Sequence, residues 1–237
     1  MKLRSTLLAG FSLLALAFCA LWWGGFIFWL VVVIGALAVA YGTHVAREFG
    51  TALAFYEPAP MVQTVARTSW TDGKVPIPAN RILLDGDPGE PMLWQTDLPL
   101  PDLVARLQAD GWSLVSSSWI AEVADAVLPT RGPLSSLAPW PLTHVGRQPM
   151  ATLTRDTSGS TPTRQVLRLW DSGIRVGGAE PVPVVLASRT TETLDPLVAG
   201  LWMLDADAGS DPAQAPRILP GLKTVTLADG PPILTID

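Results

Sequence analysis

The sequence predicts an α+β protein: an N-terminal transmembrane helical hairpin followed by a mainly antiparallel sheet packed with two helices. Three observations carry this. No Asp, Glu, Lys or Arg occurs between Arg4 and Arg47. Two downstream segments combine helix punctuation with helical apolar spacing. Beyond Gly132 the pattern changes to short β-rich runs separated by Pro, Gly and Ser.

The uncharged block comes first. Thr6–Leu21 is rich in Leu and Ala, and Phe26–Thr43 in Val, Ile, Leu and Ala, with Trp22-Trp23-Gly24-Gly25 between them. A span needs about 20 apolar residues. One helix from Thr6 to Thr43 would run about 55 Å, far beyond a hydrocarbon core of about 30 Å. Two passes fit better. Gly-Gly permits the turn, and tryptophan prefers the headgroup level. The rival reading is a leader, with Met1-Lys2-Leu3-Arg4 as the positive region and Ala15-Leu16-Ala17 as the small-x-small cleavage pattern. That would still leave Phe26–Thr43 as an anchor. Cys19, the only cysteine, follows Leu16-Ala17-Phe18; bulky Phe18 argues against a lipidation signal, so Cys19 reads as membrane-buried. Lys2 and Arg4 hold the N-terminus in the cytoplasm. Two passes return the chain there, so the expected protein is integral to a membrane with its extramembrane domain cytoplasmic.

Residues 46–77 read as neck and linker, ending the second helix at Pro58 and Pro60. The extramembrane domain is expected to span 78–237. Pro76, Pro78 and Asp85-Gly86-Asp87-Pro88-Gly89-Glu90-Pro91 read as loop and turns. Leu100–Trp112 is the clearest helix: Pro101 in its first turn, Asp102 at its positive end, Gly111 at its close, and Leu103, Val104 and Leu107 on one face. Ser118 caps a second helix to Val127, with Ile120, Val123, Ala124 and Val127 expected inward. Met150–Arg155, Arg164–Trp170 and Val182–Ser188 read as strands, with a hairpin loop over Asp156–Thr163. Leu201–Leu204, Lys223–Leu227 and Ile233–Ile236 read as shorter strands.

Composition excludes several classes. The net charge is −5. The first fifty residues hold Lys2, Arg4 and Arg47 against Glu48, leaving 13 basic and 20 acidic residues beyond. A domain of net −7 has no basic stripe for a phosphate backbone, so nucleic acid is not an expected partner. With Cys19 in the apolar block, neither a disulfide nor a cysteine-based metal site is expected in the domain. The 22 prolines and 20 glycines cut the chain into short elements, against a helical bundle.

Four landmarks occur in order: Gly86-Asp87-Pro88; a helix ending in Ala109-Asp110-Gly111-Trp112; a Pro-rich stretch leading to Gly146-Arg147; and the strand Val166-Leu167-Arg168-Leu169-Trp170. From about Pro78 to Glu192 the chain resembles the LssY C-terminal domain family in its stand-alone, membrane-anchored form. The resemblance implies a membrane-anchored accessory or binding domain of the bacterial envelope, at the inner membrane. Its implied partners are the lipid bilayer and a membrane protein or lipid headgroup. The alternative it implies is an enzyme, or enzyme subunit, acting on lipid-linked phosphate substrates, because relatives are fused to a phosphatidic-acid phosphatase. That module's Lys, Arg-Pro, Ser-Gly-His and Arg/His motifs do not occur here: Ser158-Gly159 and Ser172-Gly173 lack a following His. Residues beyond about Ser210 match nothing in the family pattern, and the Gly-Arg segment lacks its usual nearby acidic residue.

No catalytic residue, cofactor or metal is expected. Asp205, Asp207 and Asp211, with Gly209 between, have calcium-like oxygen spacing. No Glu closes the loop, so it reads as solvated. Asp85, Asp87 and Glu90 read as turn chemistry. His144, the only histidine beyond His44, reads as a loop or half-buried side chain rather than a base. Arg147, Arg168 and Trp170 carry the binding expectation. Arginine grips phosphate or carboxylate in a fork, and alternation puts Arg168 and Trp170 on one face and Leu167 and Leu169 on the other, core face. Arg168 with Trp170 offers a stacked surface pair or a small anion site. The bland reading is a structural ion pair or an exposed strand face. Most of the seven tryptophans from Trp70 to Trp202 are expected in the core.

Overall fold

The computed structural model describes residues 29–40, 61–83, 86–128, 130–157, 163–196, 201–207 and 221–236. The chain divides into two compact units, Met1–Gly50 and Thr51–Asp237.

In the first unit, 29–40 is an α-helix. Its twelve residues rise about 18 Å. No helix of the described residues is long and apolar enough to cross a membrane. The expected hairpin therefore lacks support in the described structure, and its Trp22–Gly25 turn and first pass lie outside the described residues. The helix does expose apolar side chains all round, among them Trp29, Val33, Ile34 and Leu37.

The second unit is α+β, built on one large mixed sheet with few helices. Its elements run β1 (Gln63–Val65), α1 (Arg67–Thr71), β2 (Asn80–Ile82), β3 (Pro88–Thr96), α2 (Leu100–Ala109), β4 (Ser113–Leu114) and α3 (Trp119–Val127). A 3₁₀ turn at Leu134–Ser136 precedes β5 (Ala151–Thr157), β6 (Thr163–Val176), β7 (Val182–Pro196), β8 (Trp202–Asp207), β9 (Lys223–Val225) and β10 (Ile233–Thr235). The sheet order is β4-β5-β6-β7-β3-β10-β9, with β1 on β6, β2 on β3 and β8 on β7. Only β1–β6 and β3–β10 pair in parallel among the described strands.

Helix α2 forms as its punctuation demands. Pro101 opens it and Asp102 sits in its first turn. At its end Gly111 takes φ +91°, and the Trp112 N–H returns to the Leu107 carbonyl at 3.1 Å. Leu103 and Leu107 are fully buried against Trp94, Leu153, Leu167, Leu169, Val185 and Ala187. Each such leucine contributes about 1.5–3 kcal/mol by burial. Helix α3 is capped by Ser118, whose Oγ accepts the Ala121 N–H. Its inward face differs from the expectation: Ile120 is exposed and Ala126 is buried. Asp125 of this helix accepts the Ala138 N–H at 2.7 Å.

Strands β6 and β7 form the backbone of the sheet and outrun the predicted segments. They are in register from Thr163↔Thr193 to Asp171↔Val185, then shift at a bulge before Arg175↔Pro183. At the bulge Gly173 has φ +77°, and a Cβ there would lie 2.6 Å from the Met61 carbonyl oxygen. Three expectations are corrected. Residues 85–91 are not all turn: β3 starts at Pro88, its two prolines facing short, irregular β2. The stretch 46–77 is not all linker: it supplies β1 and α1, and Trp70 of α1 is buried with its indole N–H on Gln95 Oε1 at 2.6 Å. The Arg168 face of β6 is not surface, because both faces are covered.

Candidate functional site

The covered face of the sheet carries an ionic ladder. Across β6 and β7, Arg164 and Glu192 are opposite partners, with Nη2 to Oε2 at 2.7 Å. Arg168 Nη2 reaches the other oxygen of Glu192 at 3.1 Å, and its Nη1 donates to Thr190 Oγ1 at 2.7 Å. Further along, Arg81 Nε donates to Glu90 Oε2 at 2.6 Å. Ser188 Oγ donates to Glu90 Oε1 at 2.9 Å and accepts the Trp170 indole N–H at 2.9 Å. The leftover guanidinium N–H groups turn to the overlying chain. Arg164 takes the Leu134, Leu137 and Ala138 carbonyls, Arg168 that of Trp140, and Arg81 that of Thr143. A proline-rich segment with little secondary structure is thus stapled to the sheet by arginines, because buried guanidiniums must find acceptors.

This places two of the expected binding residues. Arg168 and Trp170 are each 1% exposed. They share a face, as alternation requires, but that face is interior and no surface pair forms. Burial lowers the Arg168 pKa, against the opposing pull of Glu192 and Glu90.

Arg147 sits apart from them in a tight turn. His144 and Arg147 exchange both backbone hydrogen bonds at 2.9 Å around Val145 and Gly146, which take φ +50° and +75°. The turn docks on β2: the Ile82 N–H donates to His144 Nδ1 at 3.1 Å, and the Val145 N–H to the Ile82 carbonyl at 2.8 Å. His144 is buried, and desolvation, aided by Arg81, lowers its pKa to about 4. It is a structural acceptor that stays neutral. Arg147 Nη1 approaches Asp171 Oδ2 at 3.6 Å, and Arg175 holds the same carboxylate with two bonds of 2.7 and 2.8 Å. Those bonds, chiefly to Arg175, hold the Asp171 carboxyl below its ordinary pKa and raise that of Arg175. The structure does not bring Arg147 together with Arg168 and Trp170 as one site.

A cleft of about 530 Å³ lies elsewhere, beside β5. Beyond two-residue β4 the chain keeps one more bond to the sheet, from the Val115 N–H to the Thr152 carbonyl at 2.9 Å, before entering α3. The apolar lining of the cleft comes from Leu100, Pro101 and Val104 of α2, Leu114 and Val115, and Met150 and Ala151. Leu114 and Met150 stay exposed on its rim, 48% and 38%. Ser116, Ser117, Gln148, Thr152 and Glu122 line it as well, so its surface is mixed. Ser117 Oγ donates to Glu122 Oε1 at 2.6 Å. Burial raises the Glu122 pKa, opposed by that hydrogen bond and by Arg168, while Glu192 adds to the rise. A cleft of mixed lining that holds a perturbed carboxyl is a candidate small-molecule site.

None of these cleft residues stood out as a site in the sequence. The available signal was Glu122 itself, the one charged residue between Asp110 and Asp125. Among the described residues no cluster of three or more His, Cys, Asp or Glu is arranged to hold a metal. Asp205 lies on β8, and Asp85 and Asp211 are outside the described residues. No family model, curated protein or solved structure matches this chain.

Proposed function

We propose that the chain is a membrane-anchored binding domain of the bacterial inner membrane, whose cleft beside β5 holds the apolar body of an amphiphilic small molecule. The observation that carries this is the cleft itself: Leu100, Val104 and Val115 with the exposed Leu114 and Met150 share its lining with Ser116, Ser117, Gln148, Thr152 and Glu122. An amphiphile fits such a mixed lining. In this reading the uncharged N-terminal block is a hairpin anchor, and the domain lies on the cytoplasmic side. The apolar exposure of helix 29–40 supports a lipid environment, since a helix that is apolar all round needs cover. The LssY-like landmarks support a non-catalytic accessory role at the envelope, with a lipid or a membrane protein as partner. The described side chains lining the cleft include a carboxyl and neither Lys nor Arg, which weighs against a lipid-linked phosphate as substrate.

The test is photolabelling of the full-length chain in native membranes with a long-chain alcohol carrying a diazirine on its alkyl chain. Labelled peptides are expected to map to 100–104, 114–117 and 148–152, and Val104→Trp, which fills the cleft, to cut that labelling several-fold. Labelling spread evenly over the domain would refute the reading. Resistance to an alkaline wash tests the anchor, and a C-terminal reporter tests sidedness.

A further inference from the structure

We infer that the cleft is selective for an amphiphile with a positively charged head, a long-chain protonated amine, seated against the Glu122 carboxylate. This rests on the cleft being a ligand site. It adds the head-group chemistry from the charge the site presents.

Glu122 is the only ionisable side chain among the described residues lining the cleft. It stands in the first turn of α3. Ser117 Oγ binds one of its oxygens at 2.6 Å, which fixes the carboxyl's orientation. Ser116 and Thr152, which also line the cleft, carry hydroxyl oxygens of the kind an ammonium N–H uses. The first turn of α2 borders the cleft too, and a helix start ordinarily favours anions. Here Pro101 supplies no N–H and Asp102 sits in that turn, so the helix end does not turn the cleft toward anions.

The charges behind Glu122 are Arg168 of β6, which favours its ionised form, and Glu192 of β7, which opposes it. Arg168 is already bonded to Glu192, Thr190 and the Trp140 carbonyl. It pairs with the interior and not with Glu122. The carboxyl thus sits part-buried with one hydroxyl donor, and the described residues lining the cleft include no Lys or Arg. Burial makes its ionisation costly, and an entering cation reverses that cost. An entering carboxylate or phosphate adds to it. The apolar walls take the chain and the carboxylate takes the head.

The experiment compares three diazirine probes of one chain length, bearing an amine, an alcohol or a carboxylate, on the full-length chain in native membranes at pH 8. The amine is expected to label the 114–122 and 148–152 peptides about tenfold more than the carboxylate and several-fold more than the alcohol. In Glu122→Gln, with folding checked by thermal melting, the amine's advantage over the alcohol should vanish. Wild-type protein gives a second arm: the same advantage should shrink as pH falls and Glu122 takes up a proton. A carboxylate probe that labels as well as the amine, or an amine advantage indifferent to pH and to Glu122→Gln, would overturn the inference. Cleft labelling by all three probes alike removes the charge selectivity and leaves the cleft as a ligand site. Labelling of the cleft by none removes both.

Discussion

Arg164 and Glu192 face each other across β6 and β7, both buried, joined by Nε and Nη2 of the guanidinium to one carboxylate oxygen at 2.8 and 2.7 Å. The second oxygen is shared by Arg168 and by the Trp140 backbone N–H at 2.8 Å. One carboxylate therefore compensates two interior cations and anchors the overlying chain.

Removing that carboxylate leaves two guanidiniums uncompensated in the interior. Glu192→Gln keeps the shape and is expected to cost about 3–5 kcal/mol, the usual cost of breaking a buried pair from one side. In a double-mutant cycle the joint change Arg164→Leu with Glu192→Leu should cost less than the sum of its single changes, because Glu192→Leu alone strands Arg164 and the joint change does not. Urea unfolding of the four proteins measures this. Additive costs would mean that the ladder does not act as a unit.

His144 makes the domain acid-sensitive in a defined window. Its folded pKa is depressed to about 4 by desolvation and by Arg81. A depressed group contributes stability that is present above its unfolded pKa of about 6.5 and is lost as pH falls through the folded value. A depression of this size corresponds to on the order of 3 kcal/mol between pH 6.5 and 4. Protonation would also abolish Nδ1 as acceptor for the Ile82 N–H. His144→Asn retains an acceptor at that position and cannot titrate. It should lower the melting temperature at pH 8, through loss of the ring that lies 5.9 Å from Trp170, while flattening the fall between pH 6.5 and 4. An unchanged slope would remove His144 from the account.

What the sequence made legible follows from how local each signal is. Helices α2 and α3 carry their own end signals, Pro101, Asp102 and Gly111 in one and the Ser118 cap in the other, and they form close to the expected bounds. Long β6 and β7 carry alternation strong enough to survive burial on both faces. Strand β3 was hidden because Pro88, Gly89 and Pro91 are turn residues by any local rule, and only pairing with β2 and β7 makes them strand. Arg168 read as a surface or anion-binding residue because its cover, the 134–143 carbonyls, carries no pattern that predicts docking. The cleft was illegible for a related reason: it is assembled from 100–104, 114–122 and 148–152, none of which holds a motif alone.

The turn at His144–Arg147 holds a correctable strain. Both central residues have positive φ, the two-residue hairpin pattern that favours Asn-Gly, yet its first position is Val145, a β-branched residue at φ +50°. The Val145 side chain is half exposed, so little packing is lost on replacing it. Val145→Asn is expected to stabilise the domain by about 1 kcal/mol, or about 2–4 °C in melting temperature for a body of this size. Val145→Ile should leave the strain in place and show no gain. Calorimetry of the three proteins decides it.

The opposite case is Gly173, where the backbone leaves no room. Its φ of +77° disfavours any side chain, and a Cβ would meet the Met61 carbonyl oxygen at 2.6 Å. Gly173→Ala should therefore cost more than the roughly 1 kcal/mol of a left-handed residue alone. The loss should appear first at the β1–β6 pairing, as faster amide exchange at residues 174–176.

Glu122 titrates with the reverse sign to His144. Burial is the largest cause of its raised pKa. The folded state thus binds this proton more tightly than the unfolded chain does. A raised group contributes stability that is fully present below the unfolded value, near 4.5, and is lost as pH rises through the folded one. Glu122→Gln replaces the ionisable carboxyl with a neutral group of the same shape that still accepts from Ser117. It should match wild type in melting temperature at pH 4 and exceed it at pH 8, the gap opening over the pH range in which the wild-type carboxyl ionises. A long-chain amine added to wild type at pH 8 should narrow that gap, since a bound cation offsets the ionised carboxylate. If Glu122→Gln melts lower than wild type at pH 8, the carboxylate is stabilised within the domain itself and the cleft has no charge left to offer a ligand.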